Sequence, residues 1–593
     1  MRFVYAIAAF IIAAVMILTG LAQRTVFLGP SAVRSDVTVS GENPYMVIDG
    51  SVLTSHEGQQ SLTVTGADEV FLAYGRTADV MAWLGQAGAS YDRVTLTADP
   101  NSDTPIQTTS ATAEPVDRVD VDPEANPDPR GSDLWLSETS DDLSALATMS
   151  VDEDKSVLIA ADGVEAVPGE VKLSWPLDNS TPWAGPLIAG GLLMLAVGIV
   201  LYILAFVHHK RSRGPRRRGN PELTDGSGRR RLGGRSRTRS MVAVTGLGVG
   251  TAIVLSGCSP AYWPDLAPTP TATGEAEQIE EALEDAAPPA LTGPQLERIV
   301  VKVSDVATQA DADLDRSLIE TRFDGVALES RLASYTILAE QEERDVNDED
   351  KAAAPEAIPA SPVKLTLPQA VSGWPRTVFT VVNAGEEATV APTALVLTQN
   401  SPRDNYTVRR VVKLEPDASI PELAPATIGA SLVPPDSSFL TIAPNAMAGA
   451  YADLVENGEK SEWAEYFPEE SDALRESIAT NLKKARESLG DTGELSSEVV
   501  AGESDPVAFA TLNSGALVSV DILETQKATP SEEGVTLTTS GRIQLLSGVD
   551  ETTTGVETRY GDQLLFYVPP AGSEEKIQLL GFSQDILSSK EIE

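Results

Sequence analysis

One thiol and three imidazoles are the whole Cys and His complement of this 593-residue chain: Cys258, His56, His208 and His209. A single Cys allows no intramolecular disulfide. These counts also exclude most Cys- or His-based catalysis and zinc chemistry. No His follows Cys258, so a Ser-His-Asp or Cys-His arrangement cannot form within that part. Carboxylates are abundant, with 87 Asp and Glu against 44 Lys and Arg, a net charge of −43. Two carboxylates across a groove can hydrolyse a glycosidic bond, but among so many acids spacing alone singles out no pair. Asp99, Asn101 and Asp103 begin like a calcium loop, yet the glycine at its sixth position and the glutamate at its twelfth are missing. Asp120, Asp122, Glu124, Asn126 and Asp128 read as a solvated acidic loop, and His56 as a surface residue. Asp311, Asp313 and Asp315 stand two apart and share no helix face. No phosphate loop, nucleophile elbow or H-E-x-x-H motif is present, and Gly246, Gly248 and Gly250 lie inside an apolar run where they pack. The residues point to no catalytic, metal or cofactor site, and the chain reads as non-enzymatic.

The elements that position the rest are apolar runs. Phe3–Ala22 and Ala184–Val207 carry no charge over 20 and 24 residues, and Met241–Gly257 carries none over 17. A bilayer core needs about 20 apolar residues in a helix, so the first two can span and the third is short. Between the second and third lies a basic island, 208–240, with twelve Lys and Arg against two acids. Loops rich in Lys and Arg stay in the cytoplasm, which places both large acidic regions outside. Trp175, Trp183 and Tyr202 near the ends of the second run suit the interface. The first run has a minimal basic start and no A-x-A site after it, so it reads as a retained anchor rather than a cleaved signal.

Cys258 closes the third run in Leu255-Ser256-Gly257-Cys258. The string resembles the bacterial lipobox, whose Cys becomes thioether-linked to diacylglycerol. Basic residues and a short apolar stretch precede it, and Ser259-Pro260 and a Pro/Thr/Ala-rich stretch follow. The resemblance implies lipidation of Cys258, with acyl chains holding the following domain at the surface. A cut before Cys258 would leave a two-span protein and a lipoprotein; an uncut chain would span three times.

The length suggests about three to four folded units. The expected organisation is an N-terminal transmembrane helix (1–23), an outer β-rich domain (24–183), a second transmembrane helix (184–207), the basic cytoplasmic loop (208–240), the third apolar segment with its lipobox (241–258), a linker (259–294) and two α+β blocks (295–440 and 441–593). In the first outer region short Val-, Leu- and Thr-rich runs at 36–39, 60–65, 69–74, 93–97, 133–137, 156–159 and 170–174 predict a small β-sandwich. Val80, Met81 and Leu84 predict a helix over 77–86, and 100–129 reads as a long exposed loop. After residue 295 helices over 295–310, 314–338, 446–457 and 471–489 alternate with strands at 377–382, 394–399, 406–414, 508–512, 516–525, 535–546, 557–568 and 576–585. The fold class is thus a multi-domain membrane protein, with transmembrane helices, an outer all-β sandwich and an outer α+β region of two helix-then-antiparallel-sheet blocks.

The second block, with Tyr451, Trp463 and Phe467 on its early helices and long strands after them, is similar to the cone-shaped nuclear-transport-factor-2 fold. Together with the lipobox, residues 259–593 resemble actinobacterial membrane-anchored lipoproteins of unknown function with tandem blocks of this kind. The resemblance implies the plasma membrane of a Gram-positive, actinobacterial cell. The expected function is a non-catalytic cell-envelope protein presenting two extracytoplasmic binding or scaffold modules. Its expected partners are the lipid bilayer and an envelope protein or wall glycan, and not nucleic acid, given the acidic outer surface. The alternatives are a carboxylate-dependent glycan hydrolase and an accessory subunit of a transporter or envelope synthase.

Overall fold

The computed structural model describes residues 2–211, apart from 38, 40–42, 57, 87, 97–105, 113–126 and 178, and residues 287–593, apart from 345–350, 384–390, 417 and 471. Most of the basic island, the third apolar run, Leu255, Ser256, Gly257, Cys258 and most of the linker lie outside the described residues. So do Asp99, Asn101, Asp103, Asp120, Asp122, Glu124 and Asn126.

The first region runs α1 (Arg2–Thr25), β1 (Ala32–Val37), β2 (Tyr45–Ile48), α2 (Gly50–Leu53), β3 (Gln60–Arg76), α3 (Thr77–Gly85), β4 (Ser90–Leu96), β5 (Ile106–Thr112), β6 (Ser137–Met149), β7 (Lys155–Ala160), β8 (Glu170–Pro176) and α4 (Ala184–Arg211). Helices α1 and α4 are each long and apolar enough to cross a membrane. They pack against each other antiparallel through small residues. A side chain on Gly191 would come within 2.6 Å of Ile17 and 3.1 Å of the Ala13 carbonyl, and one on Gly20 within 2.8 Å of Ile188. Ala6, Ala9, Ala13 and Ala205 are buried, while Leu18, Leu193 and Ile203 point outward. Small residues on the shared face and large apolar ones outside are the pattern of helix pairs in lipid.

The expected sandwich is replaced by a single eight-stranded sheet in the order β1-β8-β3-β7-β2-β4-β5, with β6 on β3. The predicted strands at 60–65 and 69–74 are one strand, irregular between Thr65 and Glu69, where Gly66 takes φ +103°. The β2–β4 pair is parallel, and the two ends of the order approach each other. The sheet is therefore curled on itself, and Leu62, Val64, Leu72, Val157, Ile159 and Leu173 share one core. The run predicted as a strand at 133–137 is mostly a turn before β6, and β5 occupies part of the loop expected at 100–129. Trp175 is no interfacial anchor: it is 1 % exposed in the core, and its indole N–H donates to the Leu53 carbonyl at 2.7 Å. Trp183 stays exposed.

The second region runs α5 (Gly293–Asp313), α6 (Arg316–Glu320), α7 (Gly325–Glu343), β9 (Val363–Pro368), β10 (Arg376–Val382), β11 (Thr393–Gln399), β12 (Thr407–Leu414), α8 (Pro444–Asn457), α9 (Ala473–Leu489), β13 (Gly493–Ala501), β14 (Val507–Ala510), β15 (Ala516–Pro530), β16 (Leu537–Thr538), α10 (Gly541–Ser547), β17 (Glu551–Thr552), β18 (Val556–Val568) and β19 (Gln578–Glu591). Thr292 and Gln295 form a capping box at the start of α5, which fixes where that helix begins. Helix then sheet recurs as expected, but the strands of the two blocks join in one nine-stranded sheet, β13-β15-β18-β19-β12-β11-β10-β9 with β14 on β15. The expected boundary at 440/441 falls in the loop between β12 and α8, while the sheet runs across it. Helices α5 and α7 cover one face of the first half, α8 and α9 the same face of the second. The opposite faces of both halves meet in one core, where Phe379 touches Phe509 and Leu367, Val396, Leu517 and Leu565 join them. The strand predicted over 535–546 is short β16 followed by α10. Gly541, at φ +57°, turns the chain, and Leu545 then packs with Ile337 and Ile586.

Candidate functional site

Two places concentrate buried polar chemistry: the contact between the regions and the fork between the two halves of the large sheet.

The contact forms at the end of the first region remote from α1 and α4. Strand β8 pairs with β1 next to α4 and with the start of β3, whereas α3 follows the far end of β3. At that far end Asp79 of α3 accepts from Arg376 Nη2 at 2.5 Å and from Arg76 Nε at 2.8 Å. The Arg376 guanidinium also lies over the Trp374 ring, 3.9 Å from its centroid. Asp133, whose side chain is 0 % exposed, accepts from both Arg322 terminal nitrogens at 2.5 and 3.3 Å and from the Tyr406 amide at 3.0 Å. Around these pairs Gln295 donates to the Leu134 carbonyl, Arg298 to the Trp135 and Leu136 carbonyls, and Arg403 to the Trp83 carbonyl. Arg76 reaches across to the Pro289 and Ala290 carbonyls. Isolated buried charges are expensive; here each carboxylate is met by a guanidinium and further donors, which is the condition under which such a pair is tolerated.

The fork arises because β12 and β19 pair at only two positions, Lys413↔Phe582 and Leu414↔Gly581, and then diverge. A cavity of about 580 Å³ opens there, walled by α7, the 355–358 segment, β12, β19 and Ser477 of α9. Its size falls within the ~300–1,000 Å³ range of small-ligand sites. Its two cations are already matched. Arg331 donates to Asp311 at 2.5 Å and to the Glu356 carbonyl at 3.0 Å, over the Phe323 ring at 4.7 Å. Lys413 pairs with the Glu356 carboxylate. Burial pulls the Lys413 pKa down, and the Asp585 carboxylate opposes this. Ser330, Ser477, Ser583 and Gln584 add neutral hydroxyl and amide groups, Glu415 and Asp585 add carboxylates, and Phe582 is an apolar wall.

Behind the fork the sheet buries three acids. Asp521 is paired with Arg410 at 2.7 Å, both almost fully buried, which ties β12 to β15. Burial holds the Arg410 pKa below the usual arginine range, and Asp521 opposes this. Asp562 is 0 % exposed, and neither carboxylate oxygen makes a hydrogen bond of normal geometry. Burial pushes its pKa up to about 8; the Glu524 carboxylate adds to the rise, and the nearby Gln584 amide offsets part of it. Glu524, raised in turn by burial, accepts from Gln526 at 2.6 Å. Neither Asp562 nor Glu524 lines the cavity.

Of the residues singled out from sequence, Asp311 and Asp315 have structural tasks: Asp311 binds Arg331 and Tyr335, and Asp315 caps α6 through the Ser317 and Leu318 amides. Asp128 pairs with Arg130, and His56 lies against Trp175, 5.1 Å between ring centroids. Tyr451 and Phe467 are core residues, with the Tyr451 hydroxyl donating to Asp472 at 2.8 Å. Among the described residues, no group of three or more His, Cys, Asp or Glu is placed to hold a metal. Asp79, Asp133, Arg322, Arg376, Asp521 and Asp562 were missed. A signal existed for Asp521, a lone charge inside Val518-Ser519-Val520-Asp521-Ile522-Leu523.

No curated protein and no solved structure matches the chain. Residues 287–591, just over half of the chain and all but the last two residues of the second region, match one family. The chain belongs to the family described as Domain of unknown function (DUF8094).

Proposed function

We propose that this is a non-catalytic, membrane-anchored protein of the cell envelope, whose two regions form one outer body that binds an envelope ligand. The observation that carries the reading is the contact built on Asp79–Arg376 and Asp133–Arg322. Helices α1 and α4 pair as an antiparallel hairpin, so the sheet between them stands on one side of the bilayer and α4 ends on the other. A second region in contact with that sheet must share its side. The reading then requires one further crossing between residues 211 and 287, where the long apolar run is 241–257. Basic residues concentrated in 208–240 assign the hairpin's open end to the cytoplasm and the body to the exterior. The tight packing of α1 on α4 supports α1 as a retained anchor. Lipidation at Cys258 would add a second attachment.

The fork cavity supports binding rather than turnover. Its cations are matched by carboxylates, and its hydroxyl and amide groups, with the Glu415 and Asp585 carboxylates as further acceptors, suit an uncharged, hydroxyl-rich ligand such as a wall-glycan segment beside Phe582. A glycan hydrolase needs two carboxylates flanking the scissile bond in an open groove. Of the acids with raised pKa, Asp562 and Glu524 are sealed inside the sheet face covered by α8 and α9, and Glu329 of α7 does not line the cavity. Incubating the purified full chain in detergent with wall-glycan fragments tests this. The expected result is saturable binding, weakened by Phe582→Ala, with no sugar released. Release of reducing ends would replace the binding reading by the hydrolytic one, and no saturable binding would remove the glycan.

A further inference from the structure

We infer that the surface carrying Asp79 and Asp133 is a docking face for the second region as a separable partner, so that the protein stays assembled when the chain between residues 211 and 287 is cut. The inference extends the reading of the two regions as one outer body.

Three features of the contact support it. First, it is made by residues far apart in sequence: Asp133 and Arg322 are separated by 189 positions, Asp79 and Arg376 by 297. Second, its buried carboxylates come from one region and all but one of its guanidiniums from the other, the exception being Arg76, which donates to the Pro289 and Ala290 carbonyls. The first region contributes the buried carboxylates and the backbone carbonyls of Trp83, Leu134, Trp135 and Leu136. The second contributes the guanidiniums of Arg298, Arg322, Arg376 and Arg403. In a chain with twice as many acids as bases, four arginines on one face of an acidic region are a recognition pattern for the other piece. Third, each region has its own apolar core and its own complete sheet, so neither needs the other's strands to bury its interior. Assembly through a desolvated, hydrogen-bonded charge set gives slow dissociation once docked, since losing one member leaves its partner buried and unpaired.

The consequence is that proteolytic processing between the regions releases nothing. The helical hairpin and its sheet become the membrane receptor for the second region, and a cut changes how that region is tethered without changing where it sits.

The test uses the full chain in its membrane. A protease site is inserted after Thr269, a tag is placed at the C-terminus, and the membranes are cut and solubilised in mild detergent. The N-terminal piece is expected to elute with the tagged piece at low and moderate salt. Its quantitative loss to the flow-through would overturn the inference. Asp133→Ala and Arg298→Ala are then compared in the cut form. Dissociation is expected to accelerate by about 30-fold or more for the first, the lower bound for truncating one partner of such a pair, and less for the second. If Asp133→Ala prevents folding of the uncut chain, Arg298→Ala alone decides, because its side chain sits at the rim. Unchanged dissociation in every variant that folds would also overturn the inference. Sidedness is read separately in the uncut chain. Cysteines at Glu153→Cys and Glu459→Cys in a Cys258→Ser background are expected to label alike from outside intact cells. Opposite labelling would remove the envelope reading itself.

Discussion

The two regions bury aspartates in opposite ways. In the first, Asp79 and Asp133 lie at the end of a curled sheet, and each meets a guanidinium supplied by the other region. In the second, Asp521 meets Arg410 within the same sheet, but Asp562, one strand over, meets no cation among the described residues. The same side chain is thus a connector at one place and a liability at the other. What separates them is whether a donor with matching geometry arrives before water is excluded. Burial favours the protonated Asp562 over the carboxylate, which pushes its pKa up to about 8.

Breaking the contact should have the largest effect. Asp133→Ala leaves Arg322 buried without its carboxylate, so chemical denaturation of the full chain should show the body destabilised by about 3–5 kcal/mol. Replacing both partners, Asp133→Leu with Arg322→Met, should recover most of that loss. If the double replacement is as damaging as the single one, the pair is not the unit that matters.

Asp562 should behave in the reverse sense. Its folded pKa, about 8, lies above its unfolded value near 3.8, so the folded state holds the extra proton between these limits. Stability is then greatest at low pH in this window and falls as pH rises towards 8, by about 1.4 kcal/mol per unit at most. Asp562→Asn removes that slope. Its advantage over the native chain should grow by roughly 2–3 kcal/mol between pH 6 and pH 9, as read from denaturation midpoints. A difference that does not vary with pH would show that Asp562 titrates normally.

The hairpin comes next. Gly191→Val would drive a side chain into Ile17 and the Ala13 carbonyl, costing about 1–3 kcal/mol of helix pairing and lowering α1–α4 cross-linking in detergent. The smallest effect belongs to Arg344→Ala, which removes ion pairs to Glu340 and Asp550 at the solvent boundary. Exposed pairs contribute little, so the thermal midpoint should not move measurably. A clear loss there would weaken the argument that burial, rather than charge pairing as such, distinguishes the contact.

The pattern of the chain made several elements legible. The two apolar helices, the helix at 77–85 and the strands at 376–382, 393–399 and 556–568 follow from uninterrupted or alternating apolar residues. Short β2, Tyr45–Ile48, was missed because four residues carry too little periodicity, although all four are buried. Strand β13 was missed because its alternation is faint on a half-exposed edge. The stretch 535–546 misled through Val535, Thr536, Leu537 and Thr538, whose side chains favour strands, while the turn at Gly541 started a helix. The missed charges of the contact share one cause. A buried Arg and a solvated Arg are the same letter, and burial depends on what arrives from 189 or 297 positions away.

The sequence by itself determined which stretches can enter a membrane, where the basic island lies between them, and that no histidine-dependent triad can form after Cys258. These are properties of local composition, and no folding alters them. Only the tertiary structure decided that two helix-and-sheet blocks share one sheet, that its fork leaves a cavity, and that two arginines close onto two aspartates of another region. Each of these depends on pairing between distant strands and on water being shut out, and both arise only when remote parts of the chain are brought together.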